Sequence, residues 1–587
     1  MRARHVVLRI EKKGRSCSIM PEWFERRRGN GGSLRFDRYL NYEELTGALK
    51  AFAAEHPGLC ELVSAGESRE GRTIWLLELT NHRTGPAAEK PAFWVDGNTH
   101  AGEVTGSMCA LYLIETLLEG HGTDALITRL LDEQTFYVLP RLSPDGAERY
   151  LNTPYTLRAS TRPWPEPEEE PGLHAEDLDG DGHIVQMRVE DPNGEWKRSD
   201  KDERLMVPRK PDESGGTYYR LYKEGVFRDY DGFERKIARP LYGLDMNRQY
   251  PYGWREEHEQ RGAGPYPLSE PEARSQVEAV LARKNVFSVH TYHTFCGAIL
   301  RPFSDKDDLE MPEQDLAVLK AVGERGTELT GYPNISVYHG FRYDPKEVIT
   351  GAFDDWAYSA YGVLAYTIEF WSMAKAAGVE VKDFIEFFRD PPEEASLAML
   401  RWNDEELGGE GFVGWREFEH PQLGRVEIGG WKTKFTYQNP PPKYLEAECE
   451  KLTRFALAHA SCAPRLEAEL KVEALSDGLR KIVLEVQNTG YLSTNVTRIA
   501  VDKKVAKPVK AEIKLPEGAT IVSGEREVDL GHLVGRSALA GNRWKSPGFF
   551  EGLPSDYARR VEWVVKSEGN LEVEVRSEKA GTVRLVG

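Results

Sequence analysis

The sequence predicts an α/β fold, a sheet flanked by helices, followed by an all-β sandwich. Two patterns and the composition predict it. Strand-like and helix-like apolar runs alternate from about residue 36 to about residue 460. After Ala463-Pro464 the pattern changes to short alternating strands. The 40% hydrophobic and 29% charged content is that of a globular chain with a sizeable core. At 587 residues the chain is too long for one simple domain.

Residues 1–35, with GNGG and mixed charge, read as a poorly ordered leader. Asn41 is placed to cap a helix through YEELTGALKAFAAEH, ended by Pro57-Gly58. TIWLLELT (73–80), AFWVDG (92–97) and TFYVLPRL (135–142) read as strands, and VTGSMCALYLIETLLEG (104–120) as a largely buried helix. The stretch 159–244 is rich in Pro, Gly, Asp and Glu with weak periodicity, and reads as a long surface insertion within the α/β domain of residues 36–462. Beyond it, SEPEARSQVEAVLARK offers a capping box from Ser269 to Glu272. VFSVHTYHTF (286–295) is β-rich, 314–329 helical, VLAYTIEFW (363–371) a buried strand and 443–460 a closing helix. KIVLEVQNTG, AEIKLPEG, VEWVVK and LEVEVRS then mark an accessory β-sandwich over 463–587.

A formal net charge of −18 without a long Lys/Arg run argues against nucleic acid as a partner and favours steering of basic substrates. Cys17, Cys60, Cys109, Cys296, Cys449 and Cys462 form no CxxC pair, so they read as free thiols and supply no thiolate metal site. No apolar run approaches the roughly 20 residues of a membrane span, and the basic N-terminus lacks a signal-peptide core. No membrane association is expected. The cytoplasm is the expected compartment, with secretion or the periplasm following if translation starts elsewhere.

His100-Ala-Gly-Glu103 is the one HxxE of the chain, and it joins the strand at 92–97 to the next helix. That puts an imidazole and a carboxylate at the carboxyl end of a strand, where open α/β sheets bind ligands. The donor types suit zinc, which in catalytic sites takes three protein ligands and leaves a position for water. A third ligand is offered by His290 or His293; three residues apart on a strand, they face opposite sides, and the pattern alone does not choose. Glu369, within AYTIEFW, is a carboxylate in an apolar strand. It is either a structural partner of an arginine or a general base beside a metal-bound water.

Taken together, these pieces resemble the zinc carboxypeptidases of the A/B type (funnelins) from about Phe36 to Ala460. The resemblance is carried by GESREGRTIWLLEL, GNTHAGE, SPDGAERY, DMNRQYP, SEPE, HTFCGAILRP and DDWAY followed by TIEF. It implies a mixed, twisted sheet and one zinc ion held by His100, Glu103 and His293, selecting His293 over His290. It further implies Glu369 as general base and proton donor, Arg158 as the group polarising the scissile carbonyl, and Asn247 and Arg248 as the grip on a peptide's free C-terminal carboxylate. Asp354 falls at the position that sets specificity, where an acid goes with C-terminal Lys or Arg; the alternative is a helix N-cap.

Departures are visible. Ser143 and Gln249 replace asparagines of the family motifs, and the loop tyrosine's position falls near Glu347, leaving Tyr343 as first candidate and Tyr338 as second. The insertion after Arg158 exceeds that of compact members and is expected to border the active-site mouth. Within it, Asp177, Asp179 and Asp181 of DLDGDG resemble a calcium loop, but the twelfth position is Arg188 where an EF-hand has Glu, so a solvated acidic turn is the alternative. The expected activity is hydrolysis of the C-terminal peptide bond. The rival readings are a zinc amidohydrolase acting on peptidoglycan stem peptides or acyl amino acids, and a carboxypeptidase-like binding protein without turnover. The sandwich's partner is not legible.

Overall fold

The computed structural model describes residues 34–587 apart from 167, 345, 543–545, 547, 549–551 and 553–555. The leader expected over 1–35 therefore lies outside the described residues except for Leu34 and Arg35. The Leu34 N–H donates to Glu115 Oε1 at 2.7 Å and Phe36 is buried, so packing against the core has begun by residue 34. The helix Tyr42–Glu55 starts on the capping box of Asn41 and Glu44.

The central sheet is eight-stranded. Its strands are β1 (Cys60–Glu67), β2 (Thr73–Leu79), β3 (Ala92–Gly97), β4 (Thr135–Leu139), β5 (Val286–Thr294), β6 (Ala298–Arg301), β7 (Asn334–Ser336) and β8 (Leu364–Phe370). In space they run β1-β2-β4-β3-β5-β8-β6-β7. The middle four, β4-β3-β5-β8, are parallel, while β1, β2 and β4 pair antiparallel and so do β8 and β6. Every residue of β3, β4, β5 and β8 is buried, as expected of strands covered on both faces. The helices Thr105–Gly120, Glu313–Thr330 and Pro442–Ala460 pack against one another over this core, and Tyr42–Glu55 and Pro271–Ala282 pack on β1.

The capping box predicted at Ser269 and Glu272 is not formed. Pro271 occupies the first helical turn, which moves the N-cap to Glu270 without a side-chain cap. Ser269 instead bonds Gln249, and Glu272 accepts the Arg69 N–H at 2.9 Å.

The insertion is more ordered than its composition suggests. Gln186–Glu190, Tyr219–Lys223, Trp196–Arg198 and Met206–Pro208 join Phe412–His420 and Gly424–Trp431 in a six-stranded antiparallel sheet. It has its own core, including Met187, Val189, Val426 and Ile428.

The C-terminal region is a β-sandwich of two four-stranded antiparallel sheets. Ile482, Leu484, Ile513, Trp563 and Val573 fill its core. The sandwich is not loosely tethered. Leu492 and Val496 belong to the core of the α/β domain, Asp315 accepts from the backbone N–H groups of Arg498 and Ile499, and buried Lys579 donates to the Val286 carbonyl at 2.6 Å. Among the described residues no helix is long and apolar enough to cross a membrane.

Candidate metal centre

The site forms where β3 gives way to the helix Thr105–Gly120. A Cβ on Gly97 would lie 2.8 Å from the Gly106 carbonyl carbon, so the helix can approach the strand this closely only with glycine there. The turn between them is fixed from both sides. Asn98, in the left-handed region at φ 61°, donates through Nδ2 to the carbonyls of His100 and Ala101, and Asn439 Nδ2 donates to that of Gly102. This presents His100 and Glu103 toward β5.

On β5, His293 faces them. His293 Nδ1 lies 2.9 Å from Glu103 Oε2 and 3.1 Å from His100 Nδ1, which lies 2.9 Å from Glu103 Oε1. All three residues are buried. Donor atoms bound tetrahedrally at about 2.0–2.2 Å stand roughly 3.3–3.5 Å apart, close to this spacing. Two imidazole Nδ1 atoms directed at each other and at a carboxylate leave room only for a proton or a cation among them. The donor set and its spacing therefore fit zinc.

His290 faces the other side of β5, where its Nε2 meets His459 Nδ1 at 2.9 Å. The opposite-face expectation for the two histidines holds, and only His293 reaches Glu103.

His100 Nε2 lies 3.0 Å from Asp245 Oδ1, and Asp245 Oδ2 accepts from Arg158 Nε at 3.0 Å. Burial pushes the Asp245 carboxyl up, but Arg158, Arg248 and His100 outweigh it and hold the group well below the usual carboxylate range. An imidazole whose outer nitrogen meets a carboxylate is fixed in orientation and made a better donor at its inner nitrogen. Asp245 was not singled out in the sequence, although it stands two residues before Asn247 in DMNRQYP.

Parallel pairing of β5 and β8 puts Glu369 directly opposite His293. Glu369 is 9% exposed, and its Oε2 has no hydrogen-bond partner among the described residues. Burial first, and then the charge of Glu103, push its carboxyl up to about 8, against the lowering pull of His293 and Arg158. A bound dication would draw it down from there. His293 moves up because Glu103, helped by Glu369, outweighs the effect of burial. Arg158, 41% exposed at its side chain, reaches in from the mouth, with Nη1 3.5 Å from Glu103 Oε1.

Asn247 and Arg248 lie in the turn Met246–Arg248, where the Asp245 side chain accepts the Asn247 N–H. Asn247 Oδ1 accepts the Phe353 N–H at 2.9 Å, tying this turn to the one that carries Asp354. Asp354 is not a helix N-cap; that position falls on Ala352. Asp354 is 2% exposed, its Oδ2 is without a partner among the described residues, and burial pushes its carboxyl up. Tyr343 is half exposed as a residue, but burial of its hydroxyl pushes its pKa up, against the lowering pull of Arg158 and Arg248. Tyr338 instead lies under Arg342, 4.2 Å from its ring, and Glu347 is exposed.

The calcium-like turn at Asp177, Asp179 and Asp181 gains no support as a three-aspartate site: Asp177 and Asp179 group with Glu224, and Asp181 stands outside that group. The Arg416 guanidinium pairs with Asp179 and with Asp181, and Asp177 caps the N–H groups of Gly180 and Gly182. The turn's charge is met by an arginine and its own backbone.

The zinc carboxypeptidase family matches residues 45–391, more than half of the chain. A domain family of unknown function matches residues 465–586. Rat (Rattus norvegicus) carboxypeptidase A2 is 35% identical over 123 residues, 21% of this chain and only 28% of the rat protein's own length. Carboxypeptidase B of the crayfish Astacus astacus is 24% identical over 339 residues, 56% of this chain and 86% of the crayfish protein. Among solved structures, thrombin-activatable fibrinolysis inhibitor aligns over 73% of this chain and 74% of its own, at 15% identity and a TM-score of 0.41.

Proposed function

Because the chain belongs to the zinc carboxypeptidase family, we propose that it is a metallocarboxypeptidase that hydrolyses the C-terminal peptide bond of peptides. The observation that carries this reading is the convergence of His100, Glu103 and His293 within 3.1 Å, with Glu369 in register beside His293. Residues 36–462 form the catalytic unit and 463–587 its accessory sandwich.

His100, Glu103 and His293 would hold zinc, with Asp245 orienting His100. When bound, zinc supplies a Lewis acid that brings the pKa of water to about 7. Glu369 takes the proton of the attacking water at its unpartnered Oε2 and passes it to the leaving amine. Arg158 pairs with the negative charge that develops on the scissile carbonyl oxygen. Asn247 and Arg248 hold the terminal carboxylate, the guanidinium in a bidentate fork. Tyr343 closes over the bound residue. Asp354, a buried carboxyl whose Oδ2 has no hydrogen-bond partner among the described residues, selects a C-terminal Lys or Arg.

The decisive experiment pairs metal analysis of the purified protein with mass spectrometry of peptides that differ in their last residue. Glu369→Gln is expected to retain zinc and lose about 10²–10⁴ of kcat. A fully active Glu369→Gln protein removes the assigned base, and zinc without cleavage of any peptide points to a binding protein. Asp354→Ala should slow release of C-terminal Arg while sparing Phe. Equal loss on both refutes the specificity assignment.

A further inference from the structure

A concave site is tied to the metal loop through Asn439, and its charge runs against that of the chain. A cavity of about 390 Å³ opens between the end of the helix Pro144–Asn152, the inserted sheet and the segment after Trp431. Lys223, Lys432, Lys434 and His183 line it, with Glu410 the one carboxylate in its wall. Among the described residues none of the three lysines pairs with a carboxylate. In a protein of net charge −18, three unpaired ammonium groups around one cavity are not a solvated face of average composition.

A purely structural role accounts for one of them. Lys434 Nζ donates to the carbonyls of Tyr150 and Thr153, holding the chain that leads to Arg158. An ammonium has three donors, and the third has no protein acceptor among the described residues. Burial and the neighbouring charge of Lys223 lower Lys434 to about 8. His183 is lowered by burial and then by Lys432 and Lys434, against the pull of Asp181 and Asp177. Lys223 repels Lys434, and Lys432 and Lys434 disfavour charge on His183; an anion placed among them would relieve that repulsion.

The cavity is linked to the catalytic side. The Tyr150 hydroxyl donates to the Lys434 carbonyl, Asn439 Nδ2 donates to that same carbonyl and to Gly102 of the metal loop, and Thr156 lines the cavity two residues before Arg158. His183, Ile184 and Lys223 come from the insertion, so the inserted sheet supplies one wall. Apolar Leu151, Pro154, Leu407 and Pro442 complete it, the mixture usual in small-ligand sites.

We propose that this cavity binds a carboxylate or phosphate group, carried by the peptide being trimmed or by a free polyanion. The peptide source rests on the carboxypeptidase reading: the last residue fills the catalytic pocket, so only residues amino-terminal to the scissile bond can reach a separate cavity.

The test uses the full-length, zinc-loaded protein and the Lys223→Glu/Lys432→Glu variant, which leaves the backbone clamp of Lys434 intact. Calorimetry with inorganic pyrophosphate is expected to show binding that the variant weakens about tenfold. Peptides sharing one last residue, with Glu or Gln at each of the preceding positions, should show about a fivefold kcat/KM preference for Glu at one position, which the variant reverses. A result in the peptide arm names substrate as the source; a result with pyrophosphate alone names a free anion. If the charge-reversed protein does not fold, Lys223→Gln/Lys432→Gln replaces it. Unchanged pyrophosphate binding together with an unchanged Glu-to-Gln ratio overturns the proposal. Absence of any peptide cleavage counts against the carboxypeptidase reading, and pyrophosphate binding then decides the cavity.

Discussion

His290 and His293 stand three residues apart on one strand, both essentially unexposed, and the two faces of β5 push them in opposite directions. Behind the strand, His290 packs among Phe93, Tyr366 and Phe455 with its Nε2 against His459, and burial drives it well below the ordinary imidazole range. In front, His293 meets Glu103 and moves up despite the same burial. Burial alone makes a neutral packing histidine; burial beside a carboxylate makes a site that holds positive charge. The back is a structural pair, and the front is open to a dication.

The largest expected effect breaks this contrast directly. His293→Ala should remove most bound zinc and lower kcat/KM by about 10³ or more, since a metal ligand is lost. His290→Ala should keep full zinc content and activity within a few-fold, while costing about 2–4 kcal/mol of stability through the cavity and the stranded His459. Equal zinc loss in both variants would mean that the faces are not functionally distinct.

The next effect concerns acid. His290 lies well below its ordinary value and His459 falls to about 3, both through burial. Unfolded, each takes up a proton near pH 6.5. The unfolded chain therefore binds more protons below that pH, and stability falls as pH falls from about 6.5 toward 3. Between pH 7 and pH 5 the pair should cost on the order of 3 kcal/mol. His293, with its folded value raised, works the other way: its contribution is present below pH 6.5 and is lost as pH rises through the raised value. Urea midpoints of chelated protein at the two pH values measure the sum. His290→Gln/His459→Gln should flatten the acid-side slope, and an unchanged slope would show that the back pair does not set acid sensitivity.

A smaller effect tests how the front is held. Asp245 does for His100 what His459 does for His290, but with a full charge. Asp245→Asn should weaken zinc affinity about 10–100-fold without abolishing it. Competition with a chelator gives the number, and wild-type affinity would remove Asp245 from the site.

The same contrast explains what could be read from the sequence. Long, fully buried strands such as 286–294 and 364–370 advertise themselves as apolar runs, so the sheet and the strand-end position of HAGE were legible. The β period of two says that His290 and His293 diverge but not which faces the metal; register with β3 and β8 decides that. The inserted sheet was opaque because its strands are three to five residues long and it is completed by Phe412–Trp431, far along the chain. A helix start that looked like a capping box yielded to Pro271, and a calcium-like loop yielded to Arg416, a residue 235 positions from Asp181. Asp245 carried no apolar or metal-spacing signal of its own.

The smallest effect lies at the rim, where the front face meets solvent. Tyr343 is half exposed, and its carbonyl is held by the Arg389 guanidinium. Burial nevertheless pushes its hydroxyl up, with Arg158 and Arg248 pulling it down, whereas Tyr338 is occupied with Arg342. A rim hydroxyl that makes one hydrogen bond to bound substrate contributes about 0.5–1.5 kcal/mol. Tyr343→Phe should therefore lower kcat/KM about two- to tenfold, mainly through KM, with zinc content and stability unchanged. Tyr338→Phe should leave all three unchanged. A larger loss at Tyr338 than at Tyr343 would reverse the assignment of the loop tyrosine while leaving the two faces of β5 as they are, because neither ring touches the strand's histidines.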